Sequence, residues 1–259
     1  MSDTRNPTSE THPVVHVIAG PTGVGKSAAA TAMAQVTGAP IVVADRLQCF
    51  VDMATTSARA GADVPSVRRH WLGDRTVADG DLSASEAADA LVTLVQQQAT
   101  QHQHRFVIVE GGSISLLREL SARTAELPWR VSVRLLSLPD HDDYLATLTR
   151  RARVMLTASP PDRSLIDELA TLWHDPRQRL FVASVNGFEA VLECCAKYSL
   201  DVESLGKQQL PEQLLTRMAE LIAVRHAEHG RLQHRVFSEI FEDLIHEPGP
   251  DLDMMQVAV

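Results

Sequence analysis

The chain is poor in aromatic residues. Phe, Trp and Tyr supply 4% of its 259 residues, so a core has to be built from Leu, Val, Ile and Ala. It is poor in cysteine, with only Cys49, Cys194 and Cys195. That number is odd, two of the three are adjacent, and no Cys-x-x-Cys or Cys/His spacing occurs. A disulfide framework and a zinc site are therefore not expected, and the protein reads as reduced and cytoplasmic. Positive charge is not in excess: 24 Lys and Arg face 33 Asp and Glu, a net charge of −9. Proteins that bind nucleic acid by neutralising phosphates carry the opposite bias, so no nucleic-acid partner is expected. Apolar runs stay short of the ~18 residues that a membrane span needs. The opening segment, MSDTRNPTSETHP, lacks the apolar stretch of a signal peptide.

What is present is ordinary for a globular chain: 44% hydrophobic and 22% charged residues. The length suits one large domain or one domain with an appendage. Residues 1–13 read as a flexible leader. Val14 to Ala19 form a β-branched apolar run, followed at once by GPTGVGKS and an alanine-rich helix ending at Gly38. IVVA (41–44) is a second buried-strand candidate, which completes a βαβ unit. Residues 50–82 are irregular, and WLGDRTV (71–77) is a candidate strand or hairpin arm. Ser83 and Glu86 have capping-box spacing and open a helix. FVIVE (106–110) and RVSVRLLSL (130–138) are further strands, separated by a short helix. Beyond them, 140–156, 164–174, 177–197 and 211–246 carry helical spacing. The expected class is α/β: a mostly parallel sheet flanked by helices over residues 14–138, with a C-terminal helical region over 139–246. The tail from 247 to 259 is expected to fray. His102 and His104 read as solvated, and Trp173 as core.

Gly20-Pro21-Thr22-Gly23-Val24-Gly25-Lys26-Ser27 fits G-x-x-x-x-G-K-[ST] at every position. The chemistry of that spacing is specific. Gly20, Gly23 and Gly25 let the backbone curl so that N–H groups face an anion. The helix start adds positive potential. Lys26 supplies a point charge and Ser27 a hydroxyl able to ligate Mg²⁺. The fold expected around such a loop is that of the P-loop NTPases. The loop recognises a diphosphate or triphosphate, not a base. No later strand ends in the aspartate of a motor or switch ATPase; the nearest, FVIVE, ends in Glu110.

Asp45 directly follows IVVA. The carboxyl ends of strands in an open α/β sheet line the ligand crevice, so this carboxylate is expected beside the loop. There it can be a general base, a water-mediated Mg²⁺ ligand, or a salt-bridge partner of Arg46 or Lys26. Gln48 is suited to reading a base edge.

Taken together, GPTGVGKS, ADRLQCF, TTSARA, WLGDR, VEGGSISLL and ELATLW resemble, in order, the bacterial adenylate isopentenyltransferases, the cytokinin synthases. The resemblance runs from about Val15 to about residue 235. It looks closest to the actinobacterial type, through APIVVADR and EHG. It implies transfer of a dimethylallyl group from its diphosphate to N6 of adenine in AMP, or in ADP or ATP, with the loop holding the prenyl diphosphate. It implies Asp45 as base, Thr22 facing the bridging oxygen, Lys26 and Mg²⁺ at Ser27 on the diphosphate, and Arg151 as a second cationic contact, with Arg150 and Arg153 not separable from it by spacing. Arg46 and Gln48 fall in the DR-x-QC core as substrate contacts. Ser57 and Arg59 fall in the adenylate-binding stretch, where Thr56 and Ala58 stand in place of family glycines. Ser113 sits where the family binds nucleotide, or caps the next helix. Asn186 and His229 align with an Asp and a His that make the donor-tail pocket polar; the alternative, and the expectation taken, is a turn at Asn186-Gly187 and a surface His229. Donor choice stays open. A monomer is favoured. The competing readings are a tRNA dimethylallyltransferase, which typically has DS where this chain has DR, a small-molecule kinase with ATP in the loop, and a non-catalytic nucleotide-binding protein.

Overall fold

The computed structural model describes residues 13–59, 64–100, 106–207 and 209–245. The tail from Glu247, His102, His104 and all but the last residue of the leader lie outside them.

Five strands form one wholly parallel sheet: β1 (Val14–Ala19), β2 (Ile41–Val43), β3 (Arg69–His70), β4 (Phe106–Gly111) and β5 (Arg130–Leu135), in the order β3-β2-β4-β1-β5. The three central strands are apolar and mostly buried on both faces, as a parallel sheet requires. Helix α1 (Lys26–Thr37) covers one face through Ala30 and Ala34 against Ile18, Ile41 and Ile108. Helices α2 (Ala84–Thr100) and α3 (Ile114–Ala122) cover the other. The register sets Ala19 level with Gly111 and Leu135, and Val43 level with Glu110. The carboxyl ends of β1, β2 and β4 therefore open on one crevice, as expected of this architecture.

The second half is helical: α4 (His141–Leu156), α5 (Leu165–Trp173), α6 (Arg179–Ala183), α7 (Asn186–Tyr198) and α8 (Glu212–Ile240). Helix α8 spans both cores. Its early residues Met218, Ala219 and Ile222 join the helical core, and Val236 and Phe237 pack under the sheet. Trp173 is half-buried against the helical core, with the Arg179 guanidinium 5.3 Å from its ring.

Two expectations differ from the structure. WLGDRTV is not a strand. The edge strand is Arg69–His70 just before it, and Arg75 makes one isolated bridge to Phe50. Gly73 and Asp74 interrupt the run, and both are held by Arg59. The helical stretch 177–197 is two helices. Val185 is extended and becomes the N-cap of α7, which turns the start of α7 into the crevice. The Ser83–Glu86 box is made as expected, with Glu86 N–H on Ser83 Oγ and both Ser83 donors on Glu86.

Candidate active site

The phosphate loop leaves β1 and enters α1. Gly23 and Gly25 lie at φ 79° and 92°, which a side chain disfavours. A Cβ on Gly23 would also stand 2.6 Å from Leu148 Cδ2, so the glycine lets α4 approach the loop. Two helices grip Thr22 by its backbone. Its N–H donates to Gln233 Oε1 at 2.8 Å, and its C=O accepts from the Tyr144 hydroxyl at 2.7 Å. A Cβ on Gly230 would collide with that hydroxyl, which accounts for the glycine in EHG.

Lys26 Nζ donates to Pro21 C=O across the loop at 2.7 Å. Burial lowers its pKa to about 8 against the opposing fields of Asp45 and Glu110. The Ser27 hydroxyl donates to Glu110 Oε2 at 2.9 Å, and the other carboxylate oxygen is paired with Arg69. Those two side chains are 3% and 4% exposed. Glu110, next to last in β4, thus has both carboxylate oxygens engaged.

Asp45 follows β2 and faces the loop. Its Oδ1 accepts from Leu47 N–H at 2.9 Å, and Gln48 Nε2 lies 3.5 Å from Oδ2. The first contact is the local turn that Asp favours. Arg46 does not pair with it: that guanidinium binds Leu82 C=O, Ser115 and Asp81. Burial pushes the Asp45 carboxyl above its usual range, opposed by its hydrogen bonds and by Lys26. Gln48 is engaged with the carboxylate, and its own C=O accepts from Arg59.

Part of this set borders a cavity of about 490 Å³, within the range of small-molecule sites; Lys26, Ser27, Gln48 and the loop glycines Gly20, Gly23 and Gly25 are not among its lining residues. Thr22, Asp45, Arg46, Ser57, Ser113, Arg151, Asn186 and His229 all line it. Among the three arginines of α4, the structure separates what spacing could not. Arg151 faces the cavity, with a pKa lowered by burial and supported by Asp45 and Tyr144. Arg150 reaches back to Thr147, and Arg153 pairs with Glu212. Ser113 stands at the N-cap position of α3, yet its side chain makes no capping bond. The turn-and-surface reading of Asn186 and His229 is corrected: Asn186 is the first residue of α7, and both line the cavity. Burial, and after it the Lys26 charge, lower the pKa of His229.

Arg59 is not among the lining residues. It pairs with Asp74, donates to Gln48 C=O and Gly73 C=O, and lies 4.6 Å over Trp71. It therefore fastens the turn that carries Asp45 and Gln48. Ala58 takes the left-handed conformation, φ 61°, where glycine is at ease. Thr56 gives its N–H and its hydroxyl to Glu168 Oε2, and Thr55 N–H goes to Oε1. Glu168 is buried, and burial raises its pKa against those bonds.

Sequence reasoning missed Gln233, Glu168, Tyr144, Arg69 and His226. Gln233 and Glu168 had a signal: each is a polar residue inside an otherwise buried helical stripe. His226 lines the cavity one turn before His229, and burial, Arg151 and His229 lower its pKa to about 4.

A sequence model of the isopentenyl transferase family matches residues 13–246. The chain is 39% identical over 230 residues to an adenylate dimethylallyltransferase of Rhodococcoides fascians, covering 88% of this chain and 89% of that one. It is 31% identical over 248 residues to one of Rhizobium rhizogenes, covering 94% and 99%. Among solved structures, a eukaryotic dimethylallyltransferase acting on tRNA superposes with a TM-score of 0.61 at 14% identity, over 90% of this chain and 73% of that one. A tRNA isopentenylpyrophosphate transferase of Staphylococcus epidermidis gives 0.59 at 12%, over 90% and 91%. At those identities the structures speak for the fold alone.

Proposed function

The chain belongs to the isopentenyl transferase family and is a prenyltransferase, and from that premise we propose that it moves a dimethylallyl group from its diphosphate to N6 of AMP, releasing diphosphate, the first step of cytokinin formation. The observation that carries this reading is one cavity lined by Asp45 together with Thr22 and Arg151. An acceptor base and an anionic leaving group are thus met in a single space by residues of one chain, which also suits a monomer.

The N6 lone pair attacks allylic C1 while the C1–O bond to diphosphate breaks. N6 is a weak nucleophile, and its proton becomes acidic only as the N–C bond forms. Asp45 takes that proton. A carboxylate with a raised pKa is a stronger base, and the Leu47 N–H fixes its orientation. Negative charge grows on the departing diphosphate. The amides of the loop from Gly23 onward, the Lys26 ammonium, the Arg151 guanidinium and the Thr22 hydroxyl stabilise it. Gly20 and Gly25 let the loop turn. Ser57 and Ser113 hold the nucleotide, and Arg46 and Gln48 keep the wall beside it. Asn186 and His229 sit at the donor tail.

Among the described residues no three His, Cys, Asp or Glu side chains converge as a metal site. That suits Mg²⁺ carried in on the diphosphate, the usual mode for this ion. The Ser27 hydroxyl fits it, because its proton is given to Glu110 and its lone pairs are left for a cation. When bound, Mg²⁺ neutralises charge on the leaving diphosphate. Water-soluble substrates, and no helix among the described residues long and apolar enough to cross a membrane, support a cytoplasmic location.

The test is direct. Purified protein with Mg²⁺, AMP and dimethylallyl diphosphate is expected to yield AMP enlarged by C5H8, with the new bond at N6. Parallel reactions with ADP, ATP and the hydroxylated donor rank acceptors and donors. Modified tRNA with no product on AMP would sink the reading.

A further inference from the structure

Helix α8 buries a stripe of small and apolar residues, including Ala223, Ala227, Gly230, Val236 and Phe237, and in its midst a glutamine. Gln233 is 4% exposed. A buried amide is costly unless both of its ends are bonded. Here both are. Oε1 accepts from Thr22 N–H at 2.8 Å, and Nε2 donates to Gly112 C=O at 2.6 Å. One partner is a donor and the other an acceptor, so the amide has a single orientation. The partners lie on different loops. Thr22 belongs to the phosphate loop after β1, and Gly112 immediately precedes Ser113 after β4. Gly112 also needs to lack a side chain, because a Cβ there would stand 2.8 Å from Gln233 Nε2. With Tyr144 holding the other side of Thr22, the peptide groups flanking its side chain are both fixed. The Thr22 N–H is spent on Gln233 and is not offered to an anion.

We propose that Gln233 is a positioning residue for the transfer, whose one side chain sets the register between the loop that takes the diphosphate and the loop that carries Ser113, and which acts through Thr22. The proposal rests on the transfer reading above. Gln233 itself borders the cavity, but each end of its amide is engaged by the protein, so its loss is expected to leave substrate affinity in place while the reacting atoms lose their alignment. Misplacement by about 1 Å costs roughly 10²-fold in rate, so the loss falls on kcat and not on KM.

A double-mutant cycle with kcat and both KM values tests it. Gln233→Met removes both hydrogen bonds at similar length. It is expected to lower kcat by about 30–100-fold with KM for AMP and for the prenyl diphosphate moving less than about 3-fold. In a Thr22→Ala background the same substitution is expected to cost less than about 5-fold, because the group it positions is gone. Should Gln233→Met fail to fold, Gln233→Asn keeps a neutral amide and shortens its reach, so that the bonds to Thr22 N–H and Gly112 C=O are no longer both made. Its expected result is a smaller kcat loss with affinity for inorganic pyrophosphate unchanged. Equal losses in both Thr22 backgrounds, a change confined to KM, or unaltered kcat would overturn the proposal. An unaltered chain that makes no prenylated AMP overturns the transfer reading, and this one with it.

Discussion

Replacing Asp45 by Asn removes the base and leaves the geometry. The Asn Oδ1 still accepts from Leu47 N–H, the contact that Asp45 makes at 2.9 Å. The side chain keeps its length and its place on the cavity wall. A lost general base costs about 10²–10⁴-fold, which is about 3–5 kcal/mol in the barrier. Stability moves the other way. Burial holds the folded carboxyl above its ordinary value of 3.8, so the unfolded chain releases this proton at lower pH than the folded one. Raising the pH through that window favours unfolding, and the charged form burdens the fold at neutral pH. Asn carries no such burden. The variant is therefore expected to melt higher than the parent at neutral pH. The difference should shrink as pH falls toward 3.8 and vanish below it. In a chain of this size each 1 kcal/mol gained reads as about 2–4 °C. Single-turnover product formation and thermal melts across pH measure both quantities on the same samples. Activity within about 10-fold of the parent would refute the base assignment. A melting temperature that falls at neutral pH would refute the electrostatic argument.

Three further outcomes follow from the geometry. Ala58→Gly relieves a left-handed backbone at φ 61°, a strain of about 1–2 kcal/mol offset in part by the freedom glycine brings to the unfolded chain; urea titration should read a net gain of about 0.5–1 kcal/mol. Arg69→Met strands the buried Glu110 carboxylate and should cost about 3–5 kcal/mol, most of it recovered when Glu110→Gln is added; equal instability of the single and double variants would contradict the pairing. Lys26 is cationic below its pKa of about 8 in the free protein, so calorimetric affinity for inorganic pyrophosphate should weaken as pH rises through that value, and Lys26→Met should flatten that dependence.

What the sequence made legible was local. The phosphate loop reads as eight consecutive residues, and Asp45 follows its strand directly, so a parallel sheet alone carries both to one crevice. Ser83 and Glu86 close a box three residues apart. The missed contacts span the chain: Gln233 reaches Thr22 across 211 positions, Glu168 reaches Thr55 across 113, and Tyr144 reaches Thr22 across 122. No periodicity announces a partner at such range. The α6–α7 break was hidden because apolar spacing continues through it, although that break brings Asn186 to the cavity. Arg59 was misleading for a different reason. A motif records that an arginine is needed, and here the guanidinium fastens the turn beneath the carboxylate without lining the cavity.

Prenyl transfer to AMP is read out by release of diphosphate under three substrate combinations: AMP with dimethylallyl diphosphate, dimethylallyl diphosphate alone, and ATP alone. Release is expected only when acceptor and donor are both present, matched one for one by AMP carrying the prenyl group on N6. Turnover of ATP without a prenyl donor, or prenyl diphosphate consumed with AMP left unmodified, would contradict it.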